Sequence, residues 1–266
     1  MGKIFLMKLN VAVLVISFDG FSDLWDPYFK SIEKFWIDCP FETFLQTNEK
    51  TFKHKMLKGT IPVGEDVSWS SNLLKSVRKL RTYDYLLVMM EDGLLRKSVD
   101  TKTMLATIES FIKLKGKFLT LITEGQLKPH NTINEYFGEI AVGTPYRVTA
   151  TYSVWERKFL EKFIVEDENP FQFEKIGSRR SDKYADGFYS VHERQFDLIH
   201  AVWKGRWHPR SFKESKDLGY INFTERKFLS FFDVVRIIIY SKVRAFIFFI
   251  TPKSLKKFLI RNKEYA

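Results

Sequence analysis

The chain contains one cysteine, Cys39, in 266 residues. This excludes an intrachain disulfide framework and any thiolate-built metal site, and it fits a reducing compartment. Long apolar runs are missing as well. The beginning carries Lys8 and an apolar stretch only from Val11 to Ile16, with no small-residue cleavage pattern, so it reads as a strand and not as a signal peptide. Leu6 stands where a myristoylation motif wants Ser or Thr. Near the other end, FLSFFDVVRIIIYSKVRAFIFFI is interrupted by Asp233, Arg236, Lys242 and Arg244, whereas a spanning helix wants about twenty consecutive apolar residues. There is no glycine-rich P-loop followed by Lys-Ser/Thr, no Ser-His-Asp or Cys-His arrangement, no internal repeat and no low-complexity linker.

Acidic charge is in deficit. The net charge is +11, and it is unevenly placed: Thr224 to Ala266 holds ten Lys or Arg residues against three Asp or Glu, a local balance of +7. A concentrated basic surface calls for an anionic partner. Hydrophobic content of 45% with 16% aromatics excludes a disordered chain. Many of the 26 Phe lie beyond Phe212, which points to an apolar surface near the C-terminus as well as a core. The length suits one α/β domain with an appendage, divided at 223/224.

Periodicity organises the first ~95 residues into alternating strands and helices. Val11 to Ile16 is a buried strand, and Asp23 to Trp36 is a helix that tolerates Pro27 in its first turn. Phe41 to Thr47 and Gly59 to Val63 read as strands. Ser68 or Ser70 caps a helix to about Leu80, and Tyr85 to Met90 is a fourth strand. Such alternation favours a parallel sheet with helical crossovers. Further on, 100–114 reads as a helix, 118–123 and 146–152 as strands, 156–163 as a helix and 166–170 as a loop. The apolar, basic tail suits a helix lying in a bilayer interface, ended by Pro252 and followed by a basic helix over 254–263; packing on the domain or on a second copy of the chain is the other reading.

Chemistry concentrates at Val88-Met89-Met90-Glu91-Asp92-Gly93, where an apolar run stops on two carboxylates and a glycine. Ligands of open α/β sheets sit at the carboxyl ends of buried parallel strands, so Glu91 and Asp92 stand where a divalent cation and a diphosphate are held, or else form an acidic turn.

Taken in order, VISFDGFSDLWDPYFK, GEDVSWSSNLLKSV, YLLVMMEDGLLRKSVD, YRVTATYSVWERKFL, ENPFQFEKIGSRRS and HAVWKGRWHPR resemble bacterial glycosyltransferases of cell-surface polysaccharide (lipopolysaccharide or capsule) biosynthesis with the GT-A type of fold. The resemblance covers roughly Val11 to Arg210 and rests on the order of several blocks. It implies a GT-A-like, Rossmann-like mixed sheet flanked by helices over 1–223, followed by the basic helical extension 224–266. It further implies transfer of a sugar, with inversion, from a nucleotide-sugar donor to a saccharide or lipid-linked acceptor.

In such enzymes the first strand and its loop approach the base, a role that falls to Ser17 and Asp19, with Asp66 and Ser68 near the nucleoside. The acidic pair corresponds in position to the family's DXD-like element, which makes Asp92 the metal ligand for Mn²⁺ or Mg²⁺ and Glu91 a donor-site residue. Glu-Asp-Gly departs from Asp-X-Asp, so Lys or Arg is the alternative to the cation. An inverting transfer needs a base for the acceptor hydroxyl, and Glu174 and Glu168 are the candidates, beside an aromatic acceptor platform at Phe171 and Phe173. His200 to His208 resembles a phosphate-facing loop: Lys204 and Arg206 for diphosphate oxygens, His200 as a metal ligand or a buried histidine. Arg179-Arg180 is an anion contact or an exposed turn.

The expected setting is cytoplasmic, peripheral on the inner face of the plasma membrane, where the basic tail meets anionic lipid. Two other classes compete. One is a glycosyltransferase-like partner subunit without catalysis. The other is a nucleic-acid-binding protein, disfavoured because no finger, helix-turn-helix or RNA-recognition signature is present.

Overall fold

The computed structural model describes residues 9–123 and 128–250. The elements in chain order are β1 (Val11–Ile16), α1 (Trp25–Phe35), β2 (Glu42–Thr47), β3 (Gly59–Pro62), α2 (Trp69–Lys79), β4 (Tyr85–Met90), β5 (Gly93–Leu95), α3 (Thr101–Lys113), β6 (Phe118–Thr120), β7 (Asn131–Thr132), β8 (Phe137–Glu139) and β9 (Ser153–Glu156). They continue with α4 (Arg157–Phe163), α5 (Pro170–Ser181), β10 (Phe188–Val191), β11 (Leu198–His200), β12 (Val202–Trp203), β13 (Arg206–Trp207), α6 (Pro209–Asp217) and α7 (Phe231–Ile250).

Among the described residues, nine strands form one sheet in the order β3-β2-β1-β4-β9-β6-β10-β8-β7. The first four are parallel, β9 runs antiparallel between β4 and β6, and β10 is parallel to β6. The sheet is therefore mixed and flanked by helices, as the resemblance implies. A continuous apolar strand such as VAVLVI suits a position covered on both faces. Val11, Val13 and Val15 enter one core with Trp25, Phe29 and Ile32 of α1 and Ile108 and Phe111 of α3. Ala12, Leu14 and Ile16 enter the other with Leu73 and Val77 of α2, Leu160 of α4 and Phe173 of α5. β4 divides the same way, Leu87 and Met89 against Leu86 and Val88. Each such large apolar side chain contributes about 1.5–3 kcal/mol by leaving water.

The helix starts follow capping chemistry. Ser68 Oγ accepts the Ser71 N–H at 3.1 Å and Asp100 Oδ1 accepts that of Thr103 at 3.1 Å. Each satisfies one of the orphan donors of a first turn. Ser68, the first of the two serines weighed, is the cap of α2.

Three expectations need correction. The strand expected over 146–152 lies instead at Ser153–Glu156. Tyr146 (φ 56°) and Tyr152 (φ 51°) adopt left-handed backbone that interrupts a strand, and between them the buried Arg147 guanidinium donates to the carbonyls of Ile140, Ser181 and Tyr184. The acids near Pro170 do not share an exposed loop. Asn169 and Gln172 form a reciprocal capping box with Pro170 in the first turn, which starts α5 and puts Glu174 on a helix, and Glu168 is buried. The strand expected over 118–123 is shorter, ending at Thr120.

No helix among the described residues is long and apolar enough to cross a membrane. The second tail helix expected over 254–263 lies outside the described residues.

Candidate functional site

The carboxyl ends of β1, β2 and β4 meet at one edge of the sheet. Because β9 is antiparallel, the residues that precede it come to this edge too. Ser17, directly after β1, is buried; its Oγ accepts the Trp25 indole N–H at 2.7 Å and its carbonyl accepts Gln46 Nε2 at 3.0 Å. Asp19 is held by the loop after β2, accepting the backbone N–H groups of Asn48, Glu49 and Lys50 at 2.9, 3.0 and 3.0 Å. Partial burial works against its charge, yet these three donors hold the carboxyl below its ordinary range. Asp66 Oδ1 accepts Asn72 Nδ2 at 2.6 Å, and Ser68 Oγ accepts the Asp167 N–H at 3.2 Å in addition to capping α2.

At the end of β4, Glu91 is 3% exposed and its Oε2 has no hydrogen-bond partner. Burial, reinforced by the Asp92 carboxylate, raises its pKa well above the usual value, while the Ser17 hydroxyl and the Arg226 charge act in the opposite sense. Asp92 is half-buried; burial raises its pKa and His200 pulls it back. That proximity comes from β5 pairing antiparallel with β11, which sets His200 opposite Gly93, while the Ala201 N–H donates to the Asp92 carbonyl at 2.8 Å. His200 is exposed, so the buried-histidine reading falls.

Gly93 completes the turn for a steric reason. A Cβ there would lie 2.1 Å from Tyr152 Oη. The phenol uses this close approach to donate to the Gly93 carbonyl at 2.7 Å and to the Met90 carbonyl at 3.3 Å. The same loop reaches Glu174, whose Oε1 accepts the Ala150 N–H at 2.9 Å and whose carboxyl is pushed up by burial. Glu168 is occupied otherwise: both oxygens accept from Arg180, each at 2.9 Å, and the guanidinium lies 4.8 Å from the Phe163 ring centroid. Arg180 thus serves a buried ion pair and is not an exposed turn residue.

Lys204 and Gly205 turn the β12–β13 hairpin, both with positive φ (51° and 73°), the geometry of a two-residue hairpin loop. This leaves Lys204 exposed at the tip and Arg206 paired with Asp233 at 3.2 Å.

Sequence reasoning passed over Arg226. Its guanidinium grips the Asp23 carboxylate, donates to the carbonyls of Gly20 and Gly205 at 3.0 and 3.1 Å, and lies 4.2 Å from the Phe21 ring centroid. It thereby joins the loop after β1 to the hairpin. Trp25, Tyr152 and Asp23 were also missed. The roles of Tyr152 and Asp23 rest on contacts between distant segments, and that of Trp25 on a bond to the Ser17 hydroxyl, none of which a local motif encodes.

Among the described residues no group of three or more His, Cys, Asp or Glu side chains is arranged to hold a metal ion. Asp92 and His200 lie on paired segments, with His200 opposite Gly93. Two protein donors are compatible with a hard cation that completes its shell with phosphate oxygens and water, as Mg²⁺ characteristically does.

No protein-family model matches the chain, and no curated protein matches it in sequence. Solved structures do match its shape. S. aureus TarS residues 1–349 in complex with UDP superposes with a TM-score of 0.50 at 12% identity, covering 78% of this chain and 63% of that one. The mannosyltransferase PcManGT from Pyrobaculum calidifontis, in complex with GDP-Man and Mn²⁺, gives 0.50 at 11% identity over 82% of this chain and 66% of that one. The chain therefore spans less than two thirds of either neighbour. The fold is GT-A-like, a large mixed sheet flanked by helices.

Proposed function

We propose that the protein is a glycosyltransferase that moves a sugar from a nucleotide-sugar donor to a saccharide or lipid-linked acceptor in bacterial surface polysaccharide synthesis. The observation that carries this reading is the Glu91-Asp92-Gly93 turn at the carboxyl end of β4, beside β1, in a GT-A-like sheet with His200 brought against it. Both neighbours were solved with nucleotides or nucleotide sugars, UDP in one and GDP-Man in the other.

The loops that carry Ser17 and Asp19 and those that carry Asp66 and Ser68 receive the nucleoside. Lys204, at the hairpin tip, and Arg206 attract the diphosphate. Asp92 and His200 would hold Mn²⁺ or Mg²⁺, which when bound neutralises charge on the departing diphosphate. Glu91, buried behind them, shapes the donor site. In the transfer the acceptor oxygen bonds to the anomeric carbon from the face opposite the leaving group. The anomeric carbon–oxygen bond to the diphosphate breaks, its electron pair leaves with the nucleoside diphosphate, and the acceptor proton passes to a carboxylate. Glu174 takes that role, oriented by the Ala150 N–H; Glu168 is committed to Arg180. A carboxyl with a raised pKa is a better proton acceptor than an ordinary one.

The setting is the inner face of the plasma membrane. Phe231 and Phe232, 77% and 82% exposed, begin α7, and the tail's charge balance of +7 complements anionic lipid at about 1 kcal/mol per Lys or Arg near the surface. A second copy of the chain is the competing occupant of α7. Release of nucleoside diphosphate from a panel of nucleotide sugars, with Mn²⁺ or Mg²⁺ and with Asp92→Ala as control, tests the reading. Turnover of one donor that Asp92→Ala abolishes supports it. Donor binding without turnover favours a non-catalytic partner subunit instead.

A further inference from the structure

A cavity of about 530 Å³ opens between the turn after β1 and the segment that leads into α7, lined by Gly20, Asp23, Ile221, Phe223, Glu225 and Arg226. Its wall is chemically divided. Asp23, Glu225 and Arg226 supply hydrogen-bonding charge, whereas Ile221 and Phe223 supply apolar surface, and Phe223 is 75% exposed. Arg226 ties the cavity to the loop after β1, which carries Ser17 and Asp19, by donating to the Gly20 carbonyl at 3.0 Å. The hairpin then links the cavity to α7: Gly205 accepts from Arg226, while the next residue, Arg206, pairs with Asp233 in the first turn of the helix.

We infer that this cavity is the acceptor subsite and that it takes the polar head of an amphiphilic acceptor, a saccharide carried on a long apolar chain. The inference rests on the glycosyltransferase reading and deepens it. A sugar offers hydroxyls to carboxylates, and C–H faces to an aromatic ring. Asp23 and Glu225 beside an exposed Phe223 meet both demands. Amphipathic surfaces of this kind present one apolar and one wet end. The apolar chain leaves the cavity toward Phe231 and Phe232, which face solvent at the start of a helix whose basic tail complements an anionic bilayer. Arg226 acts here as a positioning residue: it holds the loop after β1 against the cavity wall, so that the acceptor hydroxyl meets the donor at the acidic turn.

The test is ligand-observed saturation-transfer NMR on the full chain, in the presence of the nucleotide that stabilises it. The probes are octyl glycosides of several hexoses, held below their micelle concentrations, and the matching methyl glycosides. At least one octyl glycoside binds tenfold or more tightly than its methyl counterpart. Phe223→Ala and Glu225→Gln each weaken that binding by at least tenfold and leave the nucleotide's thermal stabilisation unchanged, which shows that the variants are folded. Equal binding of octyl and methyl glycosides, unchanged binding by both variants, or no glycoside binding by a protein that does bind nucleotide overturns the inference alone. Absence of any nucleotide response removes the glycosyltransferase reading beneath it.

Discussion

Arg226 and Asp23, 203 positions apart in the chain, meet in a two-pronged ion pair that fastens the segment before α7 to the turn after β1. The Arg226 side chain is 12% exposed and Asp23 is the more open partner at 40%, so the clasp lies at the rim of the candidate site.

Arg226→Ala removes one partner of this pair together with two hydrogen bonds to carbonyls. The expected loss is about 1–3 kcal/mol, because hydrogen bonds to charged groups are stronger than neutral ones and Gly20 and Gly205 lose a donor. Arg226→Lys recovers little of it, since an ammonium cannot span two carboxylate oxygens and two carbonyls in one plane. Differential scanning calorimetry of both variants checks the order.

Gly93→Ala forces a methyl group into the Tyr152 phenol. The cost is about 1–3 kcal/mol, as for other overpacked positions. In a Tyr152→Phe background the nearest atom, the hydroxyl oxygen, is gone and the next contact is 2.8 Å, so the penalty of Gly93→Ala shrinks without vanishing. A double-mutant cycle in urea measures the coupling.

Glu168 and Arg180 form a largely buried bidentate pair, their side chains 8% and 17% exposed. Arg180→Met strands a carboxylate in the interior and lowers stability by about 3–5 kcal/mol, whereas Glu168→Gln with Arg180→Met together costs less. Equilibrium denaturation of the single and double variants distinguishes a buried ion pair from a free catalytic acid.

Glu174 and Asp19 respond to pH with opposite signs. Burial raises the Glu174 carboxyl above 4.5, so the folded state binds the extra proton and stability falls as pH rises from 4.5 through the folded value; Glu174→Gln flattens that slope. Asp19 is lowered below 3.8, so its contribution is present above 3.8 and disappears as pH falls through the folded value; Asp19→Asn removes the acid-side loss. Thermal unfolding from pH 3 to 8 reads both. In the transfer reaction Glu174→Gln loses at least ~100-fold in kcat, the size expected when a general base is removed.

What the sequence made legible was local. The unbroken apolar runs of β1 and β4, the serine that caps α2 and the carboxylates that stop β4 are each decided within a few residues, and they suffice to expect the parallel half of the sheet. The mixed half was harder to read because its determinants are not periodic: Tyr146 and Tyr152 look like strand residues but take left-handed backbone around a buried arginine. Glu168 and Glu174 read as exposed loop acids because the capping box that starts α5 was overlooked. The placing of His200 opposite Gly93 follows from the β5–β11 pairing, and the Arg226 clasp joins residues 203 positions apart. Neither leaves a trace in local sequence.

On the proposed reading, the edge around Asp92 binds an activated sugar. Thermal stabilisation of the full chain by uridine and guanosine diphosphates and their sugars, with and without Mn²⁺ or Mg²⁺, tests it most directly, because selective binding to the folded state raises apparent stability. The expected result is a nucleotide-selective rise in Tm that the metal enlarges and Asp92→Ala abolishes. No rise with any nucleotide, or a rise unaffected by Asp92→Ala, contradicts it.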